Sequence, residues 1–171
     1  MPQIEILQTD ITRLQVDAIV NAANEQLAPG AGVCGAIHRA AGPELRAACE
    51  RIGHCPTGEA RISDGYLLPA RHVIHAVGPV WQGGEHGEAR LLANCYRNSI
   101  RLAEEQGLES IAFPAISCGV YGFPLESAAR IALESTLLAL GDCRSLQQVI
   151  FACFSEAVEN ALKQAAAHHR M

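Results

Sequence analysis

The chain has 171 residues, of which 49% are hydrophobic and 18% charged, with 13 Lys and Arg against 18 Asp and Glu for a formal net charge of −5. So apolar a chain with so little net charge is not disordered, and its length suits one good core rather than two ordinary domains, so a single domain over 1–171 is expected. The acidic balance argues against strong nucleic-acid binding, because no surplus of Lys and Arg offsets the phosphates. Residues 3–7 alternate polar and apolar, and 17–22 form a short β-branched run; both read as strands. Segments 35–41 and 43–51 read as short helices, the second with Pro43 in its first turn. Strands are expected at 59–62 and 72–77. Leu91, Leu92, Cys95, Ser99, Leu102 and Ala103 recur at three- and four-residue spacing, which predicts a long helix over 88–106 stopped by Gly107. A buried strand over 110–116, a second long helix over 124–140 and a last strand over 147–154 follow. A helix over 155–167, with Ser155 as its N-cap, closes the chain. Strands separated by helices imply an α/β layered sheet. The first two strands are close together in the chain, which suggests that part of the sheet is antiparallel. Segment 78–90 is the most loop-like and reads as a mobile surface connection.

No uncharged run reaches the roughly 18 apolar residues of a membrane span. The first ten residues carry Glu5 and Asp10 and no basic start, which argues against a secretory signal. The 7 Cys are odd in number and irregular in spacing, with no Cys-x-x-Cys pair. That pattern argues against a disulfide framework and for a reducing, cytoplasmic setting. His54 with Cys55, His72 with His75, and His168 with His169 give no recognisable metal spacing, so neither a metal nor another cofactor is expected.

Two glycine-rich loops carry the chemistry. Gly30, Gly32 and Gly35 spell G-x-G-x-x-G ahead of a helix. A Rossmann nicotinamide site is disfavoured, because residues 24–30 separate the strand from the first glycine and no second strand ends in an acid at the expected distance. The physics of the motif still applies: glycines let backbone N–H groups converge on an anion, and the helix start adds its partial positive charge. The second loop, 117–123, also follows a strand and precedes a helix. It contains no Lys, so an anion there would be held by backbone and by Ser117. Two such loops suit a diphosphate clamped from two sides; on spacing alone, two tight structural turns are the alternative.

The chain resembles a macrodomain of the MacroD type, the group that includes bacterial O-acetyl-ADP-ribose deacetylases. The resemblance covers nearly the whole chain. It is carried by TDITRLQVDAIVNAAN (9–24), GVCGAIHRAAG (32–42), CPTGEARI (55–62), VIHAVGPVW (73–81) and FPAISCGVYGFP (113–124). It implies a three-layer α/β/α sandwich with a central mixed sheet and an ADP-ribose cleft at the C-terminal edge of the strands. By resemblance, Asp10 accepts from the adenine amine beside the Ile11 backbone, and Phe154 stacks on or flanks the adenine. Asn24 contacts the distal ribose, where reaction occurs. Gly32, Val33 and Cys34 form the first loop against the diphosphate and distal ribose. Ser117, Cys118, Gly119, Val120, Tyr121 and Gly122 form the second, with Tyr121 closing over the ribose-phosphate side. The bland alternatives are a helix cap for Asp10, support of its own loop for Asn24, and core packing for Phe154.

The chain departs from the family pattern at Cys34, where the family has an Asp assigned to the attacking water. Ala28-Pro29-Gly30-Ala31 replaces a run of glycines, Thr9 replaces a Gly, and Cys118 replaces a Thr. A carboxylate accepts a proton at neutral pH, whereas an ordinary thiol is mostly protonated. Cys34 and His38 stand i, i+4 on a helix, so a Cys–His pair is geometrically possible. The resemblance therefore implies a slow hydrolase of O-acetyl-ADP-ribose or of mono-ADP-ribosyl esters on acidic side chains of modified proteins, with Asn24 and Cys34 at the reaction. An ADP-ribose reader without useful turnover is the alternative.

Overall fold

The computed structural model describes residues 2–169. In chain order the elements are β1 (Gln3–Gln8), a 3₁₀ turn (Ile11–Arg13), β2 (Ala18–Ala23), α1 (Gly32–Ala41), α2 (Pro43–Ile52), β3 (Ala60–Asp64), β4 (His72–Val77), α3 (Glu88–Glu105), β5 (Ser110–Phe113), α4 (Leu125–Leu140), β6 (Gln148–Cys153) and α5 (Glu156–His169). The six strands form one sheet in the order β1-β6-β5-β2-β4-β3. All neighbours are parallel except β3 and β4. Alternation along β2 sorts its side chains to two faces. Ile19 and Ala23 pack with Ile37, Leu45 and Cys49 of α1 and α2. Ala18 and Val20 pack with α3, α4 and α5 residues such as Tyr96, Leu133 and Leu162. The result is a three-layer α/β/α sandwich around a mixed sheet. No described helix is long and apolar enough to cross a membrane.

The antiparallel pair is not the one expected. β1 lies at the sheet edge, parallel to β6, and two strands separate it from β2. The 3₁₀ turn carries the chain from the edge to the middle of the sheet, so nearness in sequence does not become pairing. The antiparallel pair is β3 with β4, whose turn closes through the Gly65 N–H donating to the Arg71 carbonyl at 2.8 Å. β5 ends at Phe113 rather than continuing to Ile116, because Pro114 has no N–H to extend a ladder.

Chain direction reverses around β2. After β2 the chain crosses to the edge strand β3, comes back inward to β4, then returns across the opposite face to β5 and β6. This makes the C-terminal ends of β2 and β5 a topological switch point, where α/β sheets leave a crevice. The segments leaving β5 are held from below by Tyr96. Its ring packs 5.0 Å from that of Phe113. Its hydroxyl accepts from the Ile116 N–H at 3.2 Å and donates to the Pro114 carbonyl at 3.5 Å. One fully buried side chain thus aims the start of the second glycine-rich loop.

Candidate functional site

The first loop leaves β2 at Asn24. The Asn24 amide clasps Ala28: Nδ2 donates to its carbonyl at 2.9 Å and Oδ1 accepts its N–H at 3.0 Å. Asn24 therefore supports its own loop. Leu27 is buried at the bend with φ +56°. The Glu25 carboxylate accepts from both the N–H and the hydroxyl of Thr57, at 3.1 and 2.9 Å, and these bonds hold its pKa below the usual range. The start of the loop is thereby fastened to its own Ala28 and to Thr57 before α1 begins.

α1 starts at Gly32, three residues earlier than the sequence suggests, so Gly32, Val33 and Cys34 are its first turn rather than a loop. Its first helical bond runs from the Gly35 N–H to the Ala31 carbonyl at 3.4 Å, which leaves the N–H groups of Gly32, Val33 and Cys34 without a helical partner. Ala31 provides no side-chain cap, and no acid stands in the first turn. The positive end of α1 is thus uncompensated by the protein, a setting that favours an anion. Cys34 is buried; its thiol donates to the Ala28 carbonyl at 3.6 Å and accepts from Asn21 Nδ2 at 3.7 Å. It makes no bond with His38. Both His38 ring nitrogens are buried without a partner, so the Cys–His pair considered from spacing does not form.

The second loop turns at Ser117, which adopts φ +67° and donates its hydroxyl inward to the Pro79 carbonyl at 2.8 Å. The expectation that this hydroxyl holds an anion is corrected: it latches the loop instead. Gly122 N–H to Gly119 carbonyl (3.0 Å) and Phe123 N–H to Ser117 carbonyl (2.9 Å) close the turn. Among the described residues, no carbonyl takes the N–H groups of Gly119, Val120 or Tyr121. Burial pushes the Cys118 thiol up to about 11, and it donates to the Ile116 carbonyl, so it brings no negative charge to the loop. Burial also raises the Tyr121 hydroxyl, with the nearby Cys34 and Glu25 adding to the effect. Val120 projects into solvent with 91% exposure.

Segment 78–90, expected to be a mobile surface connection, is over residues 78–87 a clamp on this loop and beyond them the first turn of α3. The Trp81 N–H donates to the Tyr121 carbonyl at 2.8 Å, and the Trp81 ring meets Phe123 at 4.8 Å. The carboxylate of buried Glu88 accepts the N–H groups of Gln82, Gly84 and His86 at 2.9, 2.9 and 2.6 Å. Burial pushes the Glu88 pKa up, but the backbone donors outweigh it and hold the group at about 2. Its folded pKa thus lies below the ordinary value near 4.5, so its stabilisation is full above about pH 4.5 and is lost as pH falls toward 2. Glu88→Gln is expected to unfold at lower denaturant than the native chain at pH 7. The gap between the two should close as pH falls from 4.5 to 2. Urea melts at pH 7, 4.5, 3 and 2 check this, and a pH-independent gap would refute it.

At the far end of the sheet the 3₁₀ turn follows β1. Asp10 Oδ1 accepts from the Thr12 hydroxyl at 2.7 Å and its N–H at 3.0 Å, which lowers the Asp10 pKa, and Oδ2 stands 3.7 Å from Arg13. The cap reading of Asp10 therefore holds, and its Oδ2 faces outward. The Ile11 side chain is buried in the core, so only its backbone is available. Phe154 leaves the end of neighbouring β6 and is 66% exposed, which removes the core-packing alternative. Thr9 N–H to Cys153 carbonyl, 3.2 Å, ties the two strand ends together. From β1 to β2 is three strand spacings, roughly 14 Å, so the candidate residues are spread along the C-terminal edge of the sheet rather than gathered at one point. Among the described residues no three His, Cys, Asp or Glu side chains are grouped to hold a metal ion, and all seven thiols are free.

The model of the macro domain family matches residues 20–132. The chain belongs to the macro domain family. A macro domain-containing protein of Chlorobaculum tepidum is 60% identical over 153 residues, covering 90% of this chain and 89% of its own. One from Xanthomonas axonopodis is 53% identical, with 96% of each chain covered. Among solved structures, the Oceanobacillus iheyensis macrodomain with ADP superposes with a TM-score of 0.94 at 41% identity, covering 99% of this chain and 92% of that one. The Trypanosoma brucei macrodomain in complex with ADP-ribose gives a TM-score of 0.90 at 44% identity, over 95% and 68% of the two chains.

Within this macro domain, the structure brings Asn24, Gly32, Val33 and Cys34 together at the end of β2. Gly119 to Tyr121 stand at the end of β5, and Asp10 and Phe154 at the β1–β6 end. Sequence reasoning missed Asn21, His75, Glu25 and Glu88. The signal for the first two was present: each is a polar residue flanked on both sides by apolar residues within a strand.

Proposed function

We propose that this macro domain, spanning residues 1–171, is of the MacroD type, binds ADP-ribose along the C-terminal edge of the sheet and slowly hydrolyses its esters. The observation that carries the reading is the pair of unpartnered backbone N–H sets at the C-terminal ends of the neighbouring strands β2 and β5. One is the uncapped first turn of α1, and the other is Gly119 to Tyr121. Neither set contains a Lys or Arg, so the arrangement fits a diphosphate held by peptide dipoles. The exposed Phe154 ring and outward Asp10 oxygen suit an adenine at one end. Asn24 and Cys34 suit the distal ribose at the other, with Tyr121 closing over it. The ADP and ADP-ribose carried by the similar macrodomains support the ligand class.

Hydrolysis here is attack of a water on the acyl carbon of O-acetyl-ADP-ribose, or of an ADP-ribosyl ester on an acidic side chain. A bond forms from the water oxygen to the acyl carbon, and the acyl C–O bond to the ribose breaks. The departing ribose oxygen takes one proton of the water, and the acyl group is released as a carboxylate with the second proton going to solvent. The crevice contributes position and oriented N–H dipoles. With Cys34 where the family pattern has Asp, no side-chain carboxylate stands at that position, and the substrate phosphate is left to share the base role. Loss of a general base costs about 10²–10⁴ in rate, which makes the enzyme slow. One observation favours a second reading, an ADP-ribose reader: the Cys34 thiol is already engaged with Ala28 and Asn21.

Calorimetry with ADP-ribose, followed by turnover of O-acetyl-ADP-ribose, tests this. The native chain is expected to bind and to turn over. Asn24→Ala is expected to lose both the ribose contact and the clasp on Ala28, and with them at least about tenfold of turnover. No binding by the native chain removes both readings. Binding without turnover leaves the reader.

A further inference from the structure

We propose that Asn21 and His75 are positioning residues, which through a buried hydrogen-bonded chain set where Cys34, the first turn of α1 and the Asn24 loop stand in the crevice. The consequence for ADP-ribose rests on the function proposed above; the chain itself does not. β2 and β4 pair with Asn21 opposite His75, both on the face covered by α1 and α2. Both are buried.

The direction of each bond follows from the donors available. The Ser63 hydroxyl donates to the Asp64 carbonyl at 3.1 Å, so its lone pair accepts from His75 Nε2 at 3.0 Å. That places the His75 proton on Nε2, with Cys49 Sγ also 3.8 Å from this nitrogen, and leaves Nδ1 as an acceptor. Asn21 Nδ2 donates to Nδ1 at 3.1 Å, and its second hydrogen faces Cys34 Sγ at 3.7 Å. The Cys34 thiol donates to the Ala28 carbonyl, the same oxygen that Asn24 Nδ2 grips. The chain therefore runs Ser63, His75, Asn21, Cys34, Ala28, Asn24 without a break. Burial drives the His75 pKa to about 3, so one polarity persists from mildly acidic to neutral pH. The backbone pairing of β2 with β4 is complete without these side chains. An apolar pair of similar shape would fill the same space, because replacing both members of a buried polar pair is often nearly neutral for stability. What the polar pair adds is a fixed direction for the Cys34 side chain.

The test uses His75→Leu, His75→Asn and Ser63→Ala in the full chain. Asn keeps an acceptor near the position of Nδ1, Leu removes it, and Ser63→Ala, at a half-buried site, frees the tautomer with little risk to folding. Two readouts are taken: iodoacetamide alkylation of Cys34 relative to Cys118, resolved by peptide mass spectrometry, and the ADP-ribose Kd by calorimetry. His75→Leu and Ser63→Ala are expected to raise Cys34 alkylation severalfold and to weaken ADP-ribose binding about tenfold. His75→Asn should stay near the native values. Cys34 alkylation equal to native in both His75→Leu and Ser63→Ala overturns the proposal, because a merely structural role moves only the thermal midpoint. If alkylation rises as expected while the native chain fails to bind ADP-ribose, the positioning chain stands and the functional reading falls.

Discussion

Cys34→Asp is expected to turn over O-acetyl-ADP-ribose about 10²-fold faster than the native chain, with the fold unchanged. The position is the third residue of α1, in a first turn that holds no acid and is preceded by an uncapped Ala31. A carboxylate there is favoured by the helix dipole by about 0.3–1 kcal/mol. It also keeps one native neighbour, because Asn21 Nδ2 can donate to a carboxylate as it does to the thiol. The other neighbour changes sign. The Ala28 carbonyl accepts from the thiol, whereas a carboxylate has no proton to give it. The new side chain therefore turns away from Ala28 and toward the crevice, where an attacking water would stand. A gain of 10² corresponds to about 2.7 kcal/mol of barrier, the low end of general-base catalysis, as suits a base added to a site not tuned around it. Steady-state turnover with calorimetric Kd on both chains decides the matter. Equal turnover at equal Kd would show that the substrate phosphate already does all the proton work.

That residue also shows what a sequence discloses and what it hides. The resemblance marked Cys34 as the departure that matters, but nothing local to it predicts that its thiol bonds Ala28 and Asn21, residues brought near by folding. The long helix α3 was legible because its apolar stripe repeats every three to four residues and Gly107 ends it. The start of α1 was not, because a helix opening on Ala31 and Gly32 carries none of the Ser, Thr, Asp or Asn caps that announce one. Strand existence was legible from alternation, whereas strand order depends on pairings between distant segments, such as β1 with β6. Glu88 illustrates a third kind of concealment. A Glu in the first turn of a helix reads as a surface acid complementing the dipole. Only the folded chain shows the loop 82–86 wrapped onto it.

Gly35→Ala is expected to weaken ADP-ribose binding by at least about tenfold and to cost about 1–3 kcal/mol of stability. The third glycine of the G-x-G-x-x-G run sits within α1, where backbone strain gives no reason for a glycine. Its reason is contact. A Cβ there would stand 2.4 Å from the Gly30 carbonyl oxygen, which is backbone and cannot rotate aside as a flexible side chain would. To make room the first loop must move away from the helix. Ala28, the Asn24 clasp and the Cys34 thiol bond are strung along that loop, so all three move with it. Gly119 in the second loop offers the matched control: a Cβ there meets nothing within 4 Å. Gly119→Ala should therefore unfold at the native denaturant midpoint. Denaturant melts and calorimetry on both variants separate close approach from general glycine flexibility. If Gly35→Ala binds ADP-ribose as tightly as the native chain, the loop tolerates displacement, and the tight packing of α1 against Gly30 is not what aligns the crevice.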